Sequence, residues 1–143
     1  MKFYIAAYVR EKRRVNEIHR KLKRLGHEIT VDWTKNDAPK LKSRDRLSES
    51  TKAIATRDMN GVLDCDIFIL LSDPAHGRAK YVELGAAIAS FIKKGRPLVY
   101  ILGKKNNQSV FYYHPAVKRV TCLDEIIGEF AGCKPIDKTK FSK

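Results

Sequence analysis

Apolar residues recur along this chain with two periods, and the switches between them mark its elements. Phe3-Tyr4-Ile5-Ala6-Ala7 is a compact apolar run that predicts a strand over residues 2–7. Val15, Ile18, Leu22 and Leu25 then follow helical spacing, with Gly26 as a stop. Ile29, Val31 and Trp33 alternate and predict a second strand. Residues 35–46 are polar, contain Pro39 and many charges, and read as a loop or mobile lid. Helical spacing resumes near residue 47 through Leu47, Ile54 and Val62, with Met59 a further position and Gly61 an interruption. Residues 66–71 are almost continuously apolar, the pattern of a strand covered on both faces. Residues 79–93 read as a helix closed by Gly95 and followed by Pro97, and Leu98–Leu102 as the next central strand. Val117 and Val120 mark a short edge strand, and Leu123, Ile126, Ile127 and Phe130 outline a last helix.

Alternating strands and helices predict an α/β fold: a three-layer sandwich around a central, mainly parallel sheet, flavodoxin-like or Rossmann-like. One domain is expected over residues 1–134, followed by a basic tail over 135–143 that is expected to fray. The helices are long enough for right-handed crossovers. Open sheets of this kind place ligands outside the C-terminal ends of their strands. That rule gathers residues near 8–10, 33–37, 58, 72–83 and 103–110 around one cleft.

Composition narrows the class. The 143 residues are 43% hydrophobic, enough for a real core, and no run reaches the roughly 18 apolar residues of a membrane span. The N-terminus enters a strand almost at once, so no signal peptide and no membrane partner are expected. Cys65, Cys122 and Cys133 are odd in number and form no CxxC pair, which points to a reduced, cytoplasmic protein without structural zinc. The net charge of +13, from 29 basic and 16 acidic residues, favours anionic partners without choosing among phosphate esters, nucleic acid and anionic lipid. Arg10, Lys12, Arg13, Arg14, Arg20, Lys21, Lys23 and Arg24 concentrate in the first helix, either as a solvated face or as a guide for an anion.

Glu83 is the central candidate. It sits near the start of a helix beside the expected crevice, within Tyr81-Val82-Glu83-Leu84-Gly85-Ala86-Ala87. It either complements the helix dipole or serves as a carboxylate nucleophile at an anomeric carbon, as in retaining glycosidases. Asp58 is either a surface acid or the partner of Glu83 in a carboxylate pair. Asp64 and Asp66 fall at the strand entrance, opposite the functional end, and fit a cap or turn. The loop Ser72-Asp73-Pro74-Ala75-His76-Gly77-Arg78 precedes a helix whose backbone N–H groups suit an anion, with Arg78 adding directed donors. His76 has no neighbours that complete a metal set. GxGxxG and Walker A patterns are absent, so a dinucleotide Rossmann site and a P-loop ATPase are disfavoured. Tyr8 lies at the expected mouth and suits a ligand, whereas Tyr4 and Trp33 fit packing as well as base stacking. Phe111-Tyr112-Tyr113-His114-Pro115 suggests a base-covering loop or a subunit contact.

This arrangement resembles the nucleoside 2-deoxyribosyltransferase-like family, including its nucleotide N-glycosidases, over roughly residues 2–130. Phe3-Tyr4-Ile5-Ala6-Ala7-Tyr8 looks like the family's opening strand and ligand loop. Ile54-Ala55-Thr56-Arg57-Asp58, running through Val62 to Cys65-Asp66, resembles its aspartate-bearing helix and central strand, and the segment around Glu83 its nucleophile segment. The resemblance implies cleavage of the N-glycosidic bond of a nucleoside or nucleoside monophosphate, by hydrolysis or base exchange, with no metal or other cofactor. It implies Glu83 as nucleophile, Asp58 as contact to the base or proton donor, and Tyr8 as a positioning group. Ala6, Arg10, Trp33, Ser72, His76, Gly77 and Arg78 would line the substrate site, with the His76–Arg78 loop on the sugar 5′ side. It also implies a homodimer or larger assembly, in which Asn106 or Asn107 completes a neighbouring pocket. Two departures stand out: Ala7-Tyr8 replaces the usual Gly-Pro, and Arg78 and Lys80 replace small or hydroxyl-bearing residues. The competing expectations are a nucleotide-binding module without turnover and a basic nucleic-acid-binding protein.

Overall fold

The computed structural model describes residues 1–35, 49–73, 76–104 and 109–131. Five strands carry the architecture: β1 (Lys2–Ala6), β2 (Glu28–Ile29), β3 (Ile67–Leu71), β4 (Leu98–Leu102) and β5 (Val117–Val120). Four helices connect or follow them: α1 (Lys12–Arg24), α2 (Glu49–Asp64), α3 (Ala79–Lys94) and α4 (Leu123–Phe130). All neighbouring strands pair in parallel, in the order β2-β1-β3-β4-β5. This is the flavodoxin-like order of a three-layer sandwich, with its topological switch between β1 and β3.

Strand alternation divides the core into two layers. Phe3, Ile5, Ile67, Ile69 and Leu71 point to the face covered by α1 and α4, where Val15, Leu22 and Ile126 meet them. Tyr4, Ala6, Phe68 and Leu70 point to the opposite face, against Val62 of α2 and Leu84, Ala87 and Ile88 of α3. Every residue of β3 is buried, which is why its sequence reads as an unbroken apolar run.

The second strand is shorter than its alternating pattern predicts. Pairing with β1 stops at Ile29, and Trp33 enters a 3₁₀ turn, Trp33–Lys35. There its indole N–H donates to the Ile5 carbonyl at 2.7 Å, near the end of β1. The tryptophan packs against both core layers, and that burial, not strand register, explains its apolar position. Arg10 also lies outside the first helix proper, in a 3₁₀ turn at Val9–Glu11. The remaining elements follow the hydrophobic pattern closely, including the stop of α3 at Gly95, which is left-handed.

At the N-terminal edge of the sheet, Asp66 accepts from the Lys2 backbone N–H at 2.7 Å and Asp64 from Lys2 Nζ at 2.8 Å. Asp66 therefore ties β1 to the entrance of β3 and Asp64 ties it to the end of α2, both away from the crevice, as their position in the sequence suggests.

Candidate active site

The site grows from one position in β1. Alternation turns Tyr4 toward α2 and α3, fully buried, with its ring stacked beside Phe68 at 5.9 Å between centroids. A buried phenol needs a partner for its hydroxyl. Tyr4 Oη finds it by donating to Glu83 Oε1 at 2.7 Å. Glu83 stands in the second turn of α3, half-buried between that helix and the sheet.

The surroundings of Glu83 perturb it strongly. Burial pushes its carboxyl up, the Tyr4 hydrogen bond pulls it down, and the Asp58 charge adds to the rise, leaving it at about 7. Tyr4 is itself driven far above the ordinary phenol range, first by burial and then by the Glu83 charge. It stays protonated and acts only as a donor. Asp58, on α2, is held by Arg57: Nε and Nη2 both donate to Oδ1, at 3.0 and 2.7 Å. Successive helix residues do not normally face each other. Here the long arginine folds back along α2 and fixes its neighbour, so an acid, an acid and a phenol converge from three elements.

A second group forms the rim. The Tyr8 ring lies 5.9 Å from the His76 ring, and Gly77 has φ +100° directly against Tyr8. A Cβ on Gly77 would stand 3.1 Å from Tyr8 Cα, so the loop before α3 can seat on the end of β1 only with glycine there. Arg78 is exposed immediately before α3.

Other expected site residues play different parts. Ala6 is buried in β1, Arg10 is exposed, and Trp33 is engaged with Ile5 as described. Ser72 is fully buried, and its backbone N–H donates to Leu102 at 3.0 Å, joining the ends of β3 and β4. Asn106, Asn107, Pro74, Ala75, most of the expected lid and the C-terminal tail lie outside the described residues. Among the described residues, no group of three or more His, Cys, Asp or Glu side chains could hold a metal ion.

Sequence reasoning passed over two contributors. Tyr4 was ambiguous because a tyrosine inside an apolar strand reads as core; the available signal was that it shares a strand face with the helix bearing Glu83. Lys80 entered only as a charged replacement for a small or hydroxyl-bearing residue, with no structural part of its own. Instead it is fully buried, with Nζ donating to the carbonyls of Leu71 at 3.2 Å and Ser72 at 3.4 Å. Burial lowers its pKa, while Asp73 and Glu11 oppose the fall.

No family model and no curated protein matches this chain. Among solved structures it is similar to the CMP N-glycosidase BcmB of Clostridium botulinum, with a TM-score of 0.60. The match spans 92% of this chain and 99% of that one, at 17% sequence identity. The chain shares the fold of that N-glycosidase. At such identity the likeness shows the fold alone. No described helix is long and apolar enough to cross a membrane.

Proposed function

We propose that this protein cleaves the N-glycosidic bond of a nucleoside or nucleoside 5′-monophosphate, with Glu83 as the nucleophile. The observation that carries this reading is the Tyr4–Glu83 hydrogen bond beside Asp58, within an N-glycosidase fold. Tyr4 engages Oε1, and in this reading Oε2 makes the attack. Oε2 forms a bond to C1′ as the C1′–N bond breaks, and the base leaves with the electron pair and takes up a proton. Asp58 is the group assigned to that proton or to the base itself. Water then adds to C1′, loses a proton, and releases the Glu83 carboxylate; a second base in place of water would give exchange. Tyr8, His76, Gly77 and Arg78 form the rim that receives the sugar, and the basic surface draws in a phosphate-bearing substrate. The decisive experiment incubates the protein with mixed nucleosides and monophosphates and follows free base and sugar by mass spectrometry. Absence of base release by folded protein across the panel would sink the proposal.

Asp58 has a separable electrostatic effect. Its negative charge raises the Glu83 carboxyl, so Asp58→Asn is expected to move the acid limb of kcat/KM toward lower pH. A proton-donor role predicts in addition a fall in kcat of about 100-fold or more. A pH–rate profile of the variant separates the two effects.

The assembly we propose is a homodimer. Val82 and Ile92 of α3, with Val110, Phe111 and Tyr113, are more than 60% exposed on an otherwise basic molecule. Beside them a cavity of about 250 Å³ is lined by Tyr81, Leu84, Gly85, Ile88, Ser109 and Phe111. Projecting apolar side chains next to an apolar recess suit a two-fold contact, in which one patch must fit itself. Sedimentation is expected to show a dimer that Phe111→Asp converts to monomer; an unchanged mass would remove this face from consideration.

A further inference from the structure

Gly61 occupies an interior position of α2, where glycine is unfavourable relative to alanine. Its surroundings explain why a side chain is absent. A Cβ built there would collide with Val31 Cγ2 and stand 3.2 Å from both Cδ2 and Cε2 of Tyr4. The helix cannot simply retreat. Thr30 Oγ1 donates to the Gly61 carbonyl at 3.0 Å, and the Thr30 backbone N–H donates to Phe3 at 2.9 Å, tying α2 at this point to β1. The Tyr4 ring also lies parallel to Phe68, its register partner in β3, at 5.9 Å between centroids.

We infer that Gly61 is a positioning residue for Glu83: its missing side chain lets α2 close on the Tyr4 ring and so sets where the Tyr4 hydroxyl meets the carboxylate. The chain of contact is short. Gly61 borders the edge of the ring, the ring carries the hydroxyl, and the hydroxyl holds Glu83 Oε1 at 2.7 Å. An added methyl presses on the edge of the ring and displaces it, because the Thr30 tie keeps α2 from moving away. A displacement of a few tenths of an ångström lengthens or misdirects a bond whose strength depends steeply on geometry. The catalytic consequence rests on the reading of Glu83 as nucleophile; the geometric one does not.

The test reads Glu83 directly, without substrate. Protein with ¹³C-labelled glutamate is titrated by NMR as wild type, Gly61→Ala, Val31→Ala and the double variant, with Glu83→Gln identifying the resonance. Wild type is expected to titrate at about 7. In Gly61→Ala the midpoint should rise by about one pH unit, because the lost hydrogen bond favoured the charged form. Should Gly61→Ala alone fail to fold, Val31→Ala removes the closest collision, and the double variant still presses its methyl on Tyr4. A double variant that titrates higher than Val31→Ala supports the inference. Equal midpoints in that pair would overturn it, as would a folded Gly61→Ala with the wild-type midpoint. Because no turnover is measured, a failure to detect base release would count against the proposed activity and leave this result standing.

Discussion

Glu83→Gln is expected to abolish base release while making the folded protein more stable above neutral pH. The amide cannot supply the attacking oxygen, so kcat should fall at least about a thousandfold, equivalent to about 4 kcal/mol of barrier. Stability moves the other way. The Glu83 carboxyl is raised in the folded state from 4.5 to about 7. A group raised in this manner contributes stability below its unfolded value and loses it as pH rises through the folded value. From about pH 4.5 to pH 8 the wild type should therefore lose up to about 3 kcal/mol through this residue alone, and the glutamine variant should not. Chemical denaturation of both proteins at pH 5 and pH 8 measures the difference. A glutamate that served only packing or helix-dipole balance would give no such pairing of lost turnover with gained stability.

Tyr4→Phe should act on the same carboxylate by subtraction of a single hydroxyl. The ring and its stacking on Phe68 remain, so the fold is expected to hold. Glu83 loses the one interaction that favours its charged form. Its titration should move above 7, and the acid limb of kcat/KM should move with it. A hydrogen bond to a charged group contributes about 1.5–3 kcal/mol, so activity near pH 6 should fall about 10- to 100-fold. The deficit should shrink as pH rises and Glu83 ionises again. A loss that is constant at every pH would mean that Tyr4 contacts the transition state and does not merely tune the acid.

How far the site could be foreseen depended on the kind of signal each residue leaves. The parallel sheet was legible because β3 and β4 are apolar runs buried on both faces, and because Gly95 ends α3. Glu83 was legible because it follows a central strand at the crevice. Tyr4 was not, since one hydroxyl in an apolar strand does not alter the period that identifies the strand. Trp33 misled for the reverse reason. It continues the alternation of Ile29 and Val31, but its bond to Ile5 places it in a turn. Gly61 read as a weakness in a helix, because the collision that requires glycine involves residues 30 and 57 positions away in sequence. The burial of Lys80 was not legible, because nothing local announces that two strand-end carbonyls will surround it.

That lysine has a consequence for the loop it closes. Its ammonium joins the first turn of α3 to carbonyls eight and nine residues earlier, at the end of β3. The two ends of the segment carrying His76 and Gly77 are thus cross-linked without a covalent bond. Bringing the two ends of a chain segment together costs entropy, and here folding itself meets that cost. If the rim receives substrate as proposed, that ligand meets His76 and Gly77 on a segment whose ends folding has already joined, and more of its contact energy remains as affinity.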